Sequence, residues 1–153
     1  MRDIQPVHLH NTGPSVSNLH KGLLYLLIHQ PGISGNDREK LSLRLGPEVR
    51  METFGNVTAE LVGMWQYQFK NWPNYLPPLP QWLKDIVQNF PISAVTGRGN
   101  GDVDEGTAEA LNWFLKKLGA LSRKRKLGAL SRKRKRSALS RKRKLGALSR
   151  KRG

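Results

Sequence analysis

The chain has 153 residues, enough for one domain and a tail, with 27 Lys and Arg against 11 Asp and Glu. Of those cations 16 lie in residues 118–153, which hold no acid, so residues 1–117 set 11 cations against 11 carboxylates. The body therefore lacks the basic footprint of a folded nucleic-acid reader, and the absence of cysteine excludes disulfides and thiolate metal sites.

Residues 1–14 contain Pro6, Gly13 and Pro14 and are expected to be irregular. They show no apolar run of secretory type after a basic start. The longest apolar run, Leu23–Ile28, is too short to span a bilayer. These features predict a soluble protein. A first helix follows, with Ser15 or Ser17 as its cap and Pro31-Gly32 as its stop. Val16, Leu19, Leu23, Leu26 and Leu27 recur at spacings that put them on one face.

Residues 31–53 are polar and contain glycine, with room for a helical turn near Asp37–Leu45. Gly55 and Asn56 suit a turn and cap. Leu61, Val62, Trp65 and Phe69 then form a second apolar face, stopped by Pro73. "NWPNYLPPLP" reads as a rigid connector. Pro80 fits a first helical turn, and Trp82, Leu83, Ile86, Val87 and Phe90 form a short third face. "ISAVTGRGNGDVD" is a loop with room for a brief extended piece. Asp104 caps the last helix, in which Ala108, Leu111, Phe114, Leu115 and Leu118 lie at core spacing. Gly119 is its stop. The fold class predicted is all-α: a small three- to four-helix bundle over residues 15–119, with one core that about 117 residues can bury without staples.

The remainder, residues 120–153, is a basic tail of nonapeptide units starting at Leu118, Leu127, Arg136 and Leu145. A nine-residue step in a helix advances by about half a turn, so successive basic blocks would point to opposite sides and no apolar stripe results. Like charges repel and little apolar surface is present to bury. The tail is predicted to be disordered in isolation, with transient helix. Its blocks, such as Arg123, Lys124, Arg125, Lys126 and Arg132, Lys133, Arg134, Lys135, can neutralise the phosphates of nucleic acid or other anionic polymers. No aromatic residue interleaves them to stack on bases, so such binding would be sequence-blind. A tandem expansion of a short coding unit accounts for the same repeats.

Three segments in order carry a resemblance: "VSNLHKGLLYLL" (16–27), "FGNVTAELVGMWQ" (54–66) and "GDVDEGTAEALNWFLKKLGA" (101–120). Together they resemble the peptidoglycan-binding-like domain, a small bacterial three-helix bundle. The last segment also looks like versions of that domain at the front of large toxin-like surface proteins. The resemblance implies a non-catalytic, monomeric cell-wall module docking glycan or stem peptide in a shallow groove beside the second helix. Phe54, Gly55, Thr58 and Gln66 match the motif and are the set expected near that groove. Gly55 is expected to allow a sharp turn, and the Thr58 hydroxyl to satisfy a backbone donor. The chain departs from the pattern at His20, where the family has Gln, and in the long segment from Lys70 to Asn100. That segment carries Trp72 and Tyr75, which beside prolines either offer a platform for the apolar faces of sugar rings or cover the core edge.

Other chemistries find no pattern. His8-x-His10 lacks a third ligand at zinc spacing. Asp102, Asp104 and Glu105 lack the oxygen order of a calcium loop. "GRGNG" has no following G-K-[ST] and is no phosphate loop. No nucleophile elbow is present, and no carboxylate pair is placed for glycoside hydrolysis. Neither cofactor nor metal is predicted, and no enzymatic activity.

Overall fold

A computed structural model describes residues 1–121. The tail, including every basic residue named above from Arg123 to Lys135, lies outside the described residues. Among the described residues five helices follow one another: α1 Pro14–His29, α2 Gly35–Met51, α3 Asn56–Lys70, α4 Gln81–Val87 and α5 Glu105–Lys117. Among the described residues there is no sheet, only isolated bridges joining Val7 to Val103, Thr12 to Thr53 and Ile92 to Gly99. The protein is an all-α small bundle.

Apolar spacing builds α1, α3 and α5. Val16, Leu19, Leu23, Leu26 and Leu27 of α1 are buried, as are Leu61, Val62, Trp65 and Phe69 of α3 and Ala108, Leu111, Phe114 and Leu115 of α5. Helix α1 starts earlier than Ser15 or Ser17 would allow. Pro14 opens it and Gly13 is the cap residue, at φ 103°, a conformation that favours glycine. Asp104 caps α5 as expected, its Oδ1 accepting from the Thr107 N–H at 2.8 Å. Gly119, at φ 99°, ends α5 in a Schellman arrangement, with Gly119 N donating to Lys116 O and Ala120 N to Leu115 O.

The core reaches past both ends of the 15–119 segment. Ile4, Val7 and Leu121 are buried with the helices. Both backbone groups of Ile4 are taken by Asn112 of α5, at 2.7 and 3.0 Å. The irregular N-terminal segment is thus pinned, and the first Leu-Gly-Ala-Leu of the repeats belongs to the bundle. In α4, Leu83 and Val87 face inward but Trp82 is 49% exposed, so the expected third face is narrower than its spacing suggested. A helix of seven residues has too few turns to bury a full stripe.

Helix α2 is the main departure, since a single turn grows into a helix of 17 residues. The Ser34 hydroxyl caps it, accepting from the Asp37 N–H. Among its residues only Leu45 is fully buried. Leu41 and Val49 pack partly buried beside it, and polar links add to this: Arg38 donates to the Gln30 carbonyl, Arg44 forks onto Glu60 of α3, and Glu48 caps α3. A helix fixed by long polar side chains leaves space along its partner, and that space is the cleft described next.

Candidate functional site

The motif residues of the α3 start form a closed polar joint. Both Glu48 carboxylate oxygens point into the first turn of α3. They accept from the N–H groups of Gly55 (3.1 Å), Val57 (2.9 Å) and Thr58 (2.8 Å), and from the Thr58 hydroxyl (2.6 Å). A helix start leaves such donors without intrahelical partners, and here a side chain of the preceding helix supplies the acceptor. Burial alone would raise the Glu48 pKa, but these bonds outweigh it and hold the carboxyl below its usual range. Gly55 is extended at φ −107°, so no left-handed turn demands glycine there. A Cβ would instead stand 2.7 Å from the Glu48 carboxyl group.

The Thr58 hydroxyl gives its hydrogen to Glu48 and is therefore an acceptor toward His20, whose Nε2 lies 2.8 Å away. It does not satisfy a backbone donor, as its place in the first turn suggested. The hydrogen on His20 thus sits on Nε2, and Nδ1 is buried with no hydrogen-bond partner among the described residues. Burial lowers the His20 pKa, against the pull of the Glu48 and Glu52 charges.

A second closed joint surrounds Gln66. Its Nε2 donates to the Asp102 carbonyl and the Thr107 hydroxyl, and its Oε1 accepts from Gly101 N, each at 2.9 Å. This amide stitches α3 to the 99–102 loop and to α5.

An open site lies on the other side of α3. A cleft of about 450 Å³ runs between α2 and α3. Asp37, Lys40, Leu41 and Arg44 form one wall, and Glu60, Met64, Trp65 and Gln68 the other. Gln30 and Ile33 close one end, and Arg98 reaches in from the loop before α5. A shallower depression of about 370 Å³ continues along α3 past Tyr67, Asn71 and Pro73, sharing Met64, Gln68 and Arg98 with the first. The two form one furrow along the outer face of α3. Arg44 meets Glu60 with two hydrogen bonds of 2.9 and 2.8 Å, which holds the Glu60 carboxyl below its usual range. Arg98 touches the same carboxylate only at 3.7 Å.

The four motif residues and the two connector aromatics fall in different places. Phe54 and Thr58 are 0% exposed and Gln66 is 1% exposed, so none of the three lines the furrow. Their matching positions serve the two closed joints and the core. Gly55 makes room for Glu48. Trp72 stacks on Phe69, meets Trp113 and Phe114 edge-on, and donates its indole N–H to the Pro77 carbonyl at 2.8 Å. It covers the core edge. Tyr75 is exposed, and its ring packs against Gly32, a residue of the cleft wall. His8 is bonded to Asp102, and among the described residues no three His, Asp or Glu come together as a metal set.

Sequence reasoning missed Gln30, Lys40, Arg44, Glu60, Met64, Gln68 and Arg98. One signal was present. Glu60, Met64 and Gln68 are spaced four apart along one side of α3, a half-buried flank beside its core face. No family model matches this chain, and neither a curated protein nor a solved structure is similar to it. The site therefore stands on its own geometry. Among the described residues no helix is long and apolar enough to cross a membrane.

Proposed function

We propose that the bundle is a non-catalytic binding module that takes a cell-wall glycan or its attached peptide in the furrow along α3. The observation carrying this reading is the contrast in polar groups. Those of the motif are consumed internally at Glu48, Thr58 and Gln66, while a concave surface of mixed charge, amide and apolar character stays open beside the same helix. The ligand class comes from the three-segment resemblance. The furrow supplies what such a ligand needs: cations for carboxylates, the Gln68 amide for acyl groups, and Met64, Leu41 and Ile33 for methyl groups.

The test is retention of the full chain on purified wall sacculi at ~0.5 M salt, where the attraction of exposed charges is screened. The expected result is retention that drops when Gln68→Trp fills the furrow. Retention indifferent to Gln68→Trp contradicts the furrow reading. A second reading rests on the placement of the whole charge excess in residues 118–153. Binding of nucleic acid or another polyanion through those residues would fall steeply with salt, by orders of magnitude between ~50 and ~200 mM for about eight phosphate contacts, and would ignore furrow substitutions.

A further inference from the structure

The orientation of one amide in the furrow is fixed by a donor that cannot accept. The Trp65 indole N–H only donates, so the Gln30 atom it meets at 2.8 Å is Oε1. That leaves Gln30 Nε2 to donate to Gln68 Oε1 at 2.8 Å, and Gln68 Nε2 to donate back to Gln30 Oε1 at 3.1 Å. Gln30 is only 2% exposed and Trp65 5%, so this relay is held within the packed wall. Gln68 is the member that reaches both parts of the furrow. Each amide carries two donor hydrogens and two acceptor sites. After pairing with Gln30, Gln68 keeps one N–H and one carbonyl lone pair for a ligand. A donor and an acceptor side by side match one peptide unit.

Charge selects what lies next to that unit. The cleft lining holds Lys40, Arg44 and Arg98 against Asp37 and Glu60, an excess of one positive charge. Arg44 saturates Glu60 with two short bonds, whereas Arg98 meets it only at 3.7 Å and its side chain is 44% exposed. A guanidinium in that state can fork onto an incoming carboxylate, the anion whose geometry it matches best.

We propose that the furrow reads the free carboxyl end of a peptide. Gln68 pairs with the last peptide unit, Arg98 takes the terminal carboxylate, and Met64, Leu41 and Ile33 receive small apolar side chains. This rests on the furrow being the binding site and narrows its ligand from wall material in general to the peptide part of it. Gln68 and Arg98 are then the specificity-determining residues, and Gln30 and Trp65 are positioning residues.

The experiment uses the full chain, labelled with ¹⁵N, at ~0.15 M salt. It is titrated with N-acetyl-trialanine as the free acid, with the same peptide as its C-terminal amide, and with an N-acetylglucosamine tetramer. The free acid is expected to bind about tenfold tighter than the amide, the scale of a charge-assisted hydrogen-bonded pair. Arg98→Gln is expected to remove that preference, and Gln68→Leu to weaken both peptides alike while keeping their ratio. Both side chains are half-buried, and Gln68→Leu takes the acceptor from Gln30 Nε2 and is expected to lower the melting temperature, so affinities are compared below the onset of unfolding, where circular dichroism shows native helix content. Equal affinity for acid and amide overturns the proposal, as does a preference that survives Arg98→Gln. Binding of the sugar tetramer in the furrow without binding of either peptide overturns it too, yet leaves the wall-module reading standing. Absence of all three, together with no retention on sacculi, removes both.

Discussion

Two polar clusters flank α3, and they differ in what their groups are left to do. At its N-terminal end, Glu48, Thr58 and His20 spend nearly every donor and acceptor on one another and on the helix start. Along its outer face, Arg98 and Gln68 keep unspent capacity beside open space. The first cluster joins three helices and is closed; the second also links α3 to Gln30 and to the loop carrying Arg98, but leaves donors and acceptors over. The most family-like residues of the sequence fall in the first. A motif can therefore mark the frame of a binding module rather than the surface that binds.

The largest effect that bears on this contrast is loss of the frame itself. Leu23→Asp, Trp65→Asp and Leu111→Asp each bury an unpaired carboxylate in the core, at a cost of several kcal/mol, roughly 4 or more. Circular dichroism is expected to show an unfolded body for each. A normal melt for any of them would break the assignment of the core.

Next is the closed joint. Glu48→Ala leaves three backbone donors and the Thr58 hydroxyl without their acceptor. Glu48 is only half-buried, so water recovers part of the loss and the expected cost is about 2 kcal/mol by urea unfolding. Peptide affinity in the furrow is expected to stay the same wherever the variant is folded.

Acidification acts on the same joint with a smaller, graded effect. The folded Glu48 carboxyl has a pKa below its ordinary 4.5, so its contribution is fully present above that pH and is lost as pH falls through the folded value. Buried His20 has a pKa below its ordinary 6.5, so the unfolded chain takes up that proton first. Stability is full above 6.5, declines as pH falls below it, and levels off under the folded value. Both groups thus weaken the fold toward acid, in separate windows. Urea midpoints between pH 8 and about pH 2 are expected to show both declines, with His20→Gln flattening the upper and Glu48→Ala the lower.

The smallest expected change in stability is at the open cluster. Arg98→Gln removes a long, exposed ion contact and is expected to shift unfolding by less than ~0.5 kcal/mol. A larger loss would mean that Arg98 belongs to the frame and would blur the division between the two clusters.

Much of the frame was legible because α1, α3 and α5 each bury a stripe at helical spacing, and because Asp104 and Gly119 are standard punctuation. Helix α2 was not legible. It buries only Leu45 completely and carries Gly46 and Pro47 inside. What holds it is its Ser34 cap and its polar grips on α1 and α3, which periodicity cannot register, together with a thin apolar line of Leu41, Leu45 and Val49 against the core. The furrow inherits that difficulty. Its α3 wall was readable as a flank beside the core face, but the opposite wall exists only because α2 forms and the loop carrying Arg98 returns to it. Gln66 misled for a related reason. A polar residue after an aromatic reads as exposed, whereas the 99–102 loop folds over it and satisfies both ends of its amide.

The most direct test of this division maps backbone amide shifts in the full chain as soluble wall fragments released from sacculi are added. The account predicts changes along Glu60–Asn71, in residues 37–44 and at 96–98, with His20 and residues 54–58 quiet. Changes centred on residues 54–58, with the outer face of α3 silent, would contradict it.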